Sequence, residues 1–290
     1  MCIFLQITIY MLPVQETLNC RGKLLSLDSP AIMGIINLTP DSFYDGGSLG
    51  SDTELLNRAE KMLSHGAAIL DIGGMSSRPG AEIISVDEEL RRVLPGIELL
   101  VKNFPEAILS IDTVRAEVAR KCVEAGARIV NDISAGRFDP EMYQTVSDLG
   151  VPYILMHMKG RPKDMQQQPE YEDVVCEVLD FLTAEVGKLR SLGVVDIILD
   201  PGFGFGKTVA HNYQLLNKLH LFRIGGLPLL CGISRKSMIC KVLGVKPASA
   251  LNGTTALHMV ALQQGANILR VHDVEEAAEV VRLWEQLENE

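Results

Sequence analysis

Residues 107–132 read AILSIDTVRAEVARKCVEAGARIVND, and they contain one complete repeat of the pattern that organises the chain. The apolar run Ala107–Ile111 is followed by Asp112, by an amphipathic segment and by Gly126, after which a second apolar run begins. Short apolar runs predict buried strands, and an amphipathic segment with a glycine just past its end predicts a helix. The stretch is therefore typical of two parallel strands joined by a helix.

The same pattern recurs along the chain. Eight apolar runs predict strands at Ala31–Ile36, Ala67–Ile72, Ala107–Ile111, Ala127–Val130, Val151–Met156, Asp196–Leu199, Pro228–Cys231 and Asn267–Val271. Amphipathic stretches predict helices between them, among them Thr53–Ser64, Val86–Lys102, Val114–Ala125, Tyr171–Leu192, His211–Leu219 and Asp273–Glu288. Eight strands are the number that a (β/α)8 barrel requires.

The predicted architecture is a single (β/α)8 TIM barrel over residues 17–290. A preceding stretch around Gly22, Thr17–Leu27, predicts a β-hairpin that covers the bottom of the barrel. Residues 1–16 are interpreted as an N-terminal extension, with Met11 as an alternative start, because the apolar residues there lack a basic flank and are too few to span a bilayer. A doubly wound open sheet would give a similar alternation, so spacing alone leaves it open.

Composition limits the classes of partner. The 290 residues are 47% hydrophobic, enough for a large core, and the formal net charge of −10 argues against a nucleic acid, whose phosphates require basic surfaces. The six cysteines form no CxxC pair or Cys/His cluster, so no zinc site is indicated. Reduced thiols in a cytoplasm fit this composition best.

Polar residues follow nearly every predicted strand. In chain order they are Asn37, Asp71, Asp112, Asn131, Asp132, His157, Asp200, Ser234, Arg235, Lys236, Arg270 and His272. In a barrel the carboxyl ends of all strands converge on one mouth, whereas in an open sheet they spread along an edge. Roughly one such position in three is expected only to cap the next helix. The remainder predict a shared site.

These side chains form two sets of different chemistry. The first set contains hydrogen-bond acceptors, an amide and a cation, which suit a flat heterocycle with mixed NH and carbonyl edges. It consists of Asp112, Asn131, Asp200 and Lys236. A planar guanidinium, an imidazole and an amide suit an anion, and they are Arg270, His272 and Asn37. The side-chain oxygen of Asn37 also suits a divalent metal.

Three loops follow predicted strands on the same face. Residues 39–50 and 73–83 are rich in Gly, Ser and Asp and carry Phe43 and Arg78, which is typical of lids that close over substrate, with ordinary solvated loops an equal alternative. The loop 200–208 resembles a nucleotide loop but has Pro201 where the P-loop needs glycine. Its alternating glycines and phenylalanines instead suit close approach to an aromatic ligand, although one phenylalanine is expected in the core.

Eight segments, read in order, resemble signatures of the dihydropteroate synthase family. They are Gly34–Phe43, Asp71–Ala81, Ser110–Thr113, Val130–Ile133, Met156–Gly160, Asp200–Lys207, Ser234–Ser237 and Arg270–Asp273. Related pterin-binding methyltransferases share parts of this set, but the joint occurrence from about residue 20 to the end is specific.

The resemblance implies a cytoplasmic transferase of folate biosynthesis, a homodimer and sulfonamide target, that joins 6-hydroxymethyl-7,8-dihydropterin diphosphate to p-aminobenzoate with Mg²⁺. It implies catalytic roles for Asp45, Asp112, Asp200 and Lys236. The pterin would be held by Asp112, Asn131, Met156, Asp200, Phe205 and Lys236. The diphosphate would be held by Asn37, Arg270 and His272, with Asn37 also on the metal. The p-aminobenzoate pocket would consist of Phe43, Ser77, Arg78, Pro79, Phe205, Lys236 and Ser237.

Two departures from the family pattern lie in the second loop. Met75 and Ser77 stand where Glu and Thr are more common, and Ser77 keeps the hydroxyl but loses a methyl. Asp164 stands where Thr is usual, outside the expected contacts. The departures leave the expected reaction unchanged and bear on drug contacts at the pocket rim.

The expected reaction is dissociative, because the attacked carbon carries a diphosphate next to an electron-rich ring. Two other functions remain alternatives. A methyltetrahydrofolate:corrinoid methyltransferase would use a similar pterin pocket, but it has no use for a diphosphate clamp of Arg270 and His272. A non-catalytic pterin-binding barrel is disfavoured by the intact set of pterin, anion and loop residues.

Overall fold

The structure is a computed structural model that describes residues 15–39, 49–75, 84–160, 165 and 169–288. The described strands in chain order are β1 (Thr17–Cys20), β2 (Lys23–Ser26), β3 (Ala31–Asn37), β4 (Ile69–Gly73), β5 (Ile108–Asp112), β6 (Ile129–Asp132), β7 (Tyr153–Met156), β8 (Ile197–Asp200), β9 (Leu230–Cys231) and β10 (Ile268–Val271). The described α-helices are α1 (Leu49–Ser64), α2 (Val86–Asn103), α3 (Ala116–Glu124), α4 (Met142–Leu149), α5 (Val174–Ser191), α6 (Val209–Asn217), α7 (Ser237–Leu243), α8 (Leu251–Gln263) and α9 (Val274–Glu288).

Eight parallel strands close into a barrel. Their order is β8-β7-β6-β5-β4-β3-β10-β9, and a parallel bridge between Leu199 and Leu229 joins the two ends of this sheet. The backbone nitrogen of Leu199 donates to the carbonyl of Pro228 over 2.9 Å at the same seam. The predicted TIM barrel is therefore confirmed, and the open sheet that spacing had left as an alternative is excluded.

Most strands begin one or two residues later than their apolar runs predict, and several also end one or two residues later, whereas β7, β9 and β10 end at the predicted residue. Two helices begin at side-chain caps and not at their predicted residues. Helix α5 starts at Val174 instead of Tyr171 because the Asp173 carboxylate accepts from the backbone of Val175 and Cys176. Thr208 caps α6 in the same way and forms a capping box with His211. Side-chain hydrogen bonds to the free N–H groups of the first turn thus fix these boundaries.

The N-terminal hairpin closes the bottom of the barrel, as predicted. Its strands β1 and β2 pair in antiparallel fashion, and Leu18 and Cys20 are fully buried. They pack against one inward-facing layer from the strand beginnings, which contains Ala31, Met33, Ile69, Ile108, Ile129, Ile154, Ile198, Leu230 and Ile268. Side chains of the opposite parity pack outward against the helices and form the larger core.

Two further findings concern the chain as a whole. Within the described ranges no helix is both long and apolar enough to cross a membrane. Residues 1–14, most of the predicted N-terminal extension, lie outside the described residues.

Candidate active site

The alternation along each strand places polar side chains directly above the apolar layer. Two residues after Ile69, Ile129 and Ile268, the same inward face carries Asp71, Asn131 and Arg270. The other members of this upper set are Ser110, Asp112, Met156 and Asp200. Because side chains two apart in a strand share a face, these groups point into the carboxyl-terminal end of the barrel. We call this end the barrel mouth.

Arg270 is the centre of a charged network in the mouth. Its Nε donates to Asp71 Oδ2 and its Nη2 donates to Asp112 Oδ2, each over 2.7 Å. Asp71 Oδ2 also accepts from Asn131 Nδ2 over 3.0 Å. The Asp71 carboxylate is fully buried, so it orients both the guanidinium and the Asn131 amide. Residues expected in the pterin and diphosphate sets are therefore joined in one network.

The network perturbs the protonation of Asp112. Burial raises the pKa of Asp112 to about 7, the nearby Arg270 guanidinium opposes this shift, and Asp71 reinforces it. A carboxyl group near neutrality in a cleft is typical of functional sites. Asp112 therefore supplies a carboxylate that can accept a hydrogen bond from a heterocyclic NH group, and the pKa of this carboxylate is close to neutral pH.

Lys236 and Asp200 lie on the neighbouring part of the mouth. Lys236 Nζ donates to the carbonyl of Phe203 over 2.5 Å and lies 4.8 Å from the centre of the Phe205 ring. Asp200 Oδ1 accepts from the backbone of Gly202 over 2.7 Å. Burial lowers the pKa of Lys236 to about 8 against the attraction of Asp200, and burial raises the pKa of Asp200 against the attraction of Lys236.

An apolar wall borders these charges. Met156 lies in a small cluster with Val114, Ile133, Met158 and Met165, against which Phe205 and Met75 pack. Phe203 is fully buried in the main core, so it is the phenylalanine of this loop with a core role. Met75, one of the two departures in the second loop, thus contributes apolar surface beside Met156 and Phe205.

The residues expected to hold the diphosphate lie at the end of β3, within β10 and directly after β10. Asn37 ends β3 and pairs in register with Gly73 of β4. His272 directly follows β10, and its Nδ1 lies 3.0 Å from Ser234 Oγ, which also accepts from the His272 backbone over 3.2 Å. Arg235, next to Ser234, makes a two-point contact with Asp273, from Nε over 2.8 Å and from Nη2 over 2.6 Å.

The structure brings five of the predicted site residues together and places Met156 and Phe205 in the apolar cluster beside them. Asp112, Asn131, Asp200, Lys236 and Arg270 converge as described. Ser237 is exposed in the first turn of α7, next to Lys236. The remaining predicted residues, Phe43, Asp45, Ser77, Arg78 and Pro79, lie outside the described residues.

Two site residues had no assigned role in the sequence. Asp71 orients Asn131 and Arg270, and Ser234 orients His272. A signal for Asp71 does exist: it is a carboxylate inside an otherwise apolar strand, on the same face as Ile69. For Ser234 the signal is its place just after the apolar run of β9, among the polar strand ends.

The donor chemistry of the mouth fits a magnesium ion held mainly by substrate. Among the described residues no group of three or more His, Cys, Asp or Glu side chains could hold a metal alone. Mg²⁺ is commonly bound by one or two protein oxygens together with substrate phosphates. One amide oxygen from Asn37 at the rim is compatible with that mode.

Comparisons with known proteins agree with this geometry. The pattern of the pterin binding enzyme family matches residues 33–272. Dihydropteroate synthase of Escherichia coli K12 is 44% identical over 270 residues, which cover 92% of this chain and 95% of that protein. The structure of Yersinia pestis dihydropteroate synthase with a sulfonamide drug has a TM-score of 0.89 and 43% identity, covering 94% of this chain and 100% of that one. The Xanthomonas albilineans dihydropteroate synthase complex with 7,8-dihydropteroate has a TM-score of 0.84 and 41% identity, covering 94% of this chain and 98% of that one.

Proposed function

This chain belongs to the dihydropteroate synthase family of pterin-binding enzymes, and we propose how its barrel mouth performs the reaction of that family. The reaction condenses 6-hydroxymethyl-7,8-dihydropterin diphosphate with p-aminobenzoate to give 7,8-dihydropteroate and diphosphate in folate synthesis. The observation that carries the proposal is the convergence of Asp112, Asn131, Asp200 and Lys236 beside Arg270 on one mouth.

The pterin would lie between the two carboxylates. Asp112 and Asp200 accept from its NH groups, Asn131 offers an amide that donates and accepts, and Lys236 donates to a ring acceptor. Met156 and Phe205 would pack beside the ring from the apolar wall. Because both carboxylates are buried, their hydrogen bonds to the pterin would be stronger than in water.

The diphosphate would lie at the rim formed by Asn37, Arg270 and His272. Two N–H groups of Arg270 donate to Asp71 and Asp112. The remaining N–H groups of the guanidinium would donate to the leaving group. Asn37 would hold Mg²⁺ there, and the ion would supply neutralisation of the charge on the leaving group. His272, held by Ser234, would add a further hydrogen bond to the departing oxygens.

We infer a dissociative order of bond changes. The C–O bond to diphosphate breaks first, the electron pair leaves with the diphosphate, and the resulting pterin cation is stabilised by Asp112 and Asp200, with Asp45 as an expected third carboxylate. The arylamine nitrogen then forms the new C–N bond and loses a proton to solvent. The amine needs placement more than activation, because a cation is a strong electrophile. The pocket for the arylamine would be formed by Phe43, Ser77, Arg78, Pro79 and Ser237 together with Phe205 and Lys236.

A kinetic experiment tests the function and the order separately. Purified enzyme with dihydropterin diphosphate, Mg²⁺ and p-aminobenzoate is expected to release diphosphate and form dihydropteroate in equal amounts. No amine-dependent product would refute the function. Slow diphosphate release without amine would support the dissociative order, whereas C–O cleavage strictly first-order in amine would refute that order alone.

The metal is tested by titration of Mg²⁺ with the wild-type protein and with Asn37→Ala. We expect Asn37→Ala to raise the Mg²⁺ concentration needed for half-maximal rate, because the ion loses one oxygen ligand. Asn217→Ala, an exposed asparagine at the last residue of α6, is the matched control with an unchanged Mg²⁺ requirement. An Asn37→Ala enzyme with the wild-type Mg²⁺ requirement would remove Asn37 from the metal.

The proposed active species is a homodimer. Helix α8 packs between α7 and α9, and large apolar side chains are exposed on both flanking helices: Val242, Leu243, Leu283 and Leu287. Exposed apolar clusters of this kind favour protein contacts. Light scattering is expected to give twice the chain mass, and Leu283→Glu is expected to give a monomer. Leu24→Glu, on an equally exposed leucine of β2, is the control that stays dimeric.

We also propose a cytoplasmic location. Cys20, Cys122, Cys231 and Cys240 are free and buried, and Cys176 is free and exposed. Free thiols are typical of reducing compartments. Cell fractionation with an antibody to the chain would test this, and recovery in an extracytoplasmic fraction would refute it.

A further inference from the structure

Lys207 carries a buried amino group that the proposed reaction does not use. Its residue is 2% exposed, yet its Nζ lies within hydrogen-bond distance of four acceptors. These are His157 Nδ1 at 2.9 Å, the Gly202 carbonyl at 2.9 Å, the Phe205 carbonyl at 3.1 Å and the His157 carbonyl at 3.3 Å. Four acceptors around one nitrogen favour the ammonium, which has three hydrogens to donate, over the amine, which has two.

The four acceptors come from two different loops of the mouth. His157 follows β7, whereas Gly202 and Phe205 follow β8. The two loops touch backbone to backbone: a Cβ on Gly202 would lie 1.8 Å from the His157 carbonyl oxygen. Lys207 therefore joins two strand ends at a point where side chains cannot fit between them.

The carbonyls bound by Lys207 are on either side of Phe203. The Phe203 carbonyl accepts from the ammonium of Lys236, and the ring of Phe205 lies against this Lys236 ammonium. The Lys236 position thus depends on a loop whose shape is set by Lys207. Removing the Lys207 ammonium would take a donor from the carbonyls of His157, Gly202 and Phe205, of which that of Gly202 keeps the Phe205 backbone nitrogen at 3.1 Å. The loop would then move to give the other two carbonyls new donors.

The charge of Lys207 also acts on Asp200. Asp200 is faced by three cations, of which Lys236 lowers its pKa most, followed by Lys207 and Arg270, while burial raises it. Burial lowers the pKa of Lys207 well below its usual value, Lys236 and Arg137 add to this shift, and Asp200 opposes it. The four acceptors around Nζ act in the opposite direction and favour the charged form. The neighbouring His157 is neutral, because burial and the Lys207 charge lower the pKa of the imidazole to about 2. The Nδ1 lone pair therefore remains free to accept.

We propose that Lys207 is a positioning residue of the synthase reaction, whose buried ammonium fixes the loop carrying Phe203 and Phe205 and keeps Asp200 ionised beside the pterin. The inference rests on the proposed function. It assigns to Lys207 two separable effects, one of geometry and one of charge. Neither effect requires contact with substrate.

Two variants separate these effects. Lys207→Met keeps an unbranched side chain that is one atom shorter and removes the charge, so we expect the acid limb of the kcat/KM profile to move to higher pH and kcat/KM at neutral pH to fall by about tenfold or more. Lys207→Arg keeps a charge on a head group too wide for the four acceptors. We expect it to lower kcat/KM while leaving the acid limb in place. Lys218→Met, at the exposed end of α6, is the control with the wild-type profile.

Each result decides the inference. An inactive wild-type protein would refute the synthase function. The role of Lys207 would then be tested by calorimetry of pterin binding. Lys207→Met should weaken binding, and the acid limb of the pH profile of binding should shift. With an active wild type, a folded Lys207→Met whose acid limb and kcat/KM equal those of Lys218→Met would overturn the proposal. If circular dichroism shows that both Lys207 variants fail to fold, the residue supports the fold as a whole and the positioning role is refuted.

Discussion

The charged network around Arg270 leads to a specific prediction. We expect Arg270→Met to have a lower free energy of unfolding than the wild type, and we expect this deficit to grow as pH rises. In the wild type the guanidinium contacts Asp71 and Asp112 over 2.7 Å each, with the two carboxylates 0% and 15% exposed. Methionine fills similar volume without charge. Two carboxylates would then share a buried site without a cation.

The expected cost follows from the burial of the pair. Removing one partner of a buried ion pair typically costs about 3–5 kcal/mol, because the remaining charge stays desolvated. The total stability of a domain is about 5–15 kcal/mol, so Arg270→Met should still fold. The loss corresponds to a fall of about 1 M or more in the urea midpoint.

The pH dependence has a definite sign. Burial already raises the pKa of Asp112 to about 7, above its unfolded value, and Arg270 opposes this rise. In Arg270→Met the folded pKa must lie higher still, so the folded state binds more protons than the unfolded state over a wider range. Stability is therefore present at low pH and is lost as pH rises through the folded pKa. Each unit of added pKa shift is worth about 1.4 kcal/mol.

The assay is urea unfolding followed by circular dichroism at pH 5.5 and pH 8, together with kcat/KM for dihydropteroate formation. The control is Arg120→Met, whose pair with Asp148 is exposed and separated by 3.7 Å, and which should cost less than about 1 kcal/mol at either pH. The activity of Arg270→Met should fall by about 100-fold or more through loss of a cation at the diphosphate. A midpoint equal to that of Arg120→Met, or a deficit that shrinks as pH rises, would refute the reasoning.

Three further predictions concern other parts of the barrel. The Lys236 ammonium, whose pKa burial lowers to about 8, should set the alkaline limb of the kcat/KM profile near that pH, and Lys236→Arg should move the limb to higher pH; a wild-type limb unchanged in Lys236→Arg would contradict this. Leu18→Ala should cost about 2–5 kcal/mol in urea unfolding with unchanged KM, because Leu18 is buried at the end of the barrel opposite the mouth, and a changed KM would show coupling between the two ends. Gly202→Ala should lower both the melting temperature and kcat/KM, because its Cβ would lie 1.8 Å from the His157 oxygen at a φ of +73°, whereas Gly187→Ala, where the Cβ meets nothing within 4 Å, should be neutral or stabilising.

Much of the fold was accessible from local sequence. The segment 107–132 predicted a strand, a helix and a strand, and β5, α3 and β6 lie there with boundaries shifted by one or two residues. The shifts arise because a hydrogen-bonded ladder continues past the apolar run into polar residues such as Asp112 and Asn131. Capping residues such as Asp173 set helix starts that periodicity alone misplaces.

The sequence predicted which residues belong to the site better than it predicted which of them contact one another. The side chains of Asp112, Asn131, Asp200 and Lys236 meet at the mouth, and Asp71 joins Asn131 to Arg270 across 60 and 199 positions of sequence. Sequence pattern gave no partner for Asp71 or Lys207, because their contacts depend on which strands are neighbours. The expected pocket residues Phe43 and Arg78 remain predictions, since they lie outside the described residues.

The sequence by itself determined the βα repeat, the residue types at the strand ends and, through its motifs, the family. These depend on short-range rules: the side-chain period of a strand, the hydrogen bonds of a helix start, and glycine past a helix end. Only the tertiary structure decided that the sheet closes between Leu199 and Leu229, that Arg270 bridges Asp71 and Asp112, and that Lys207 joins the loops after β7 and β8. The reason is physical: closure and burial bring together charges that are distant in sequence, and their pKa values and partners exist only once water has been excluded from the space between them.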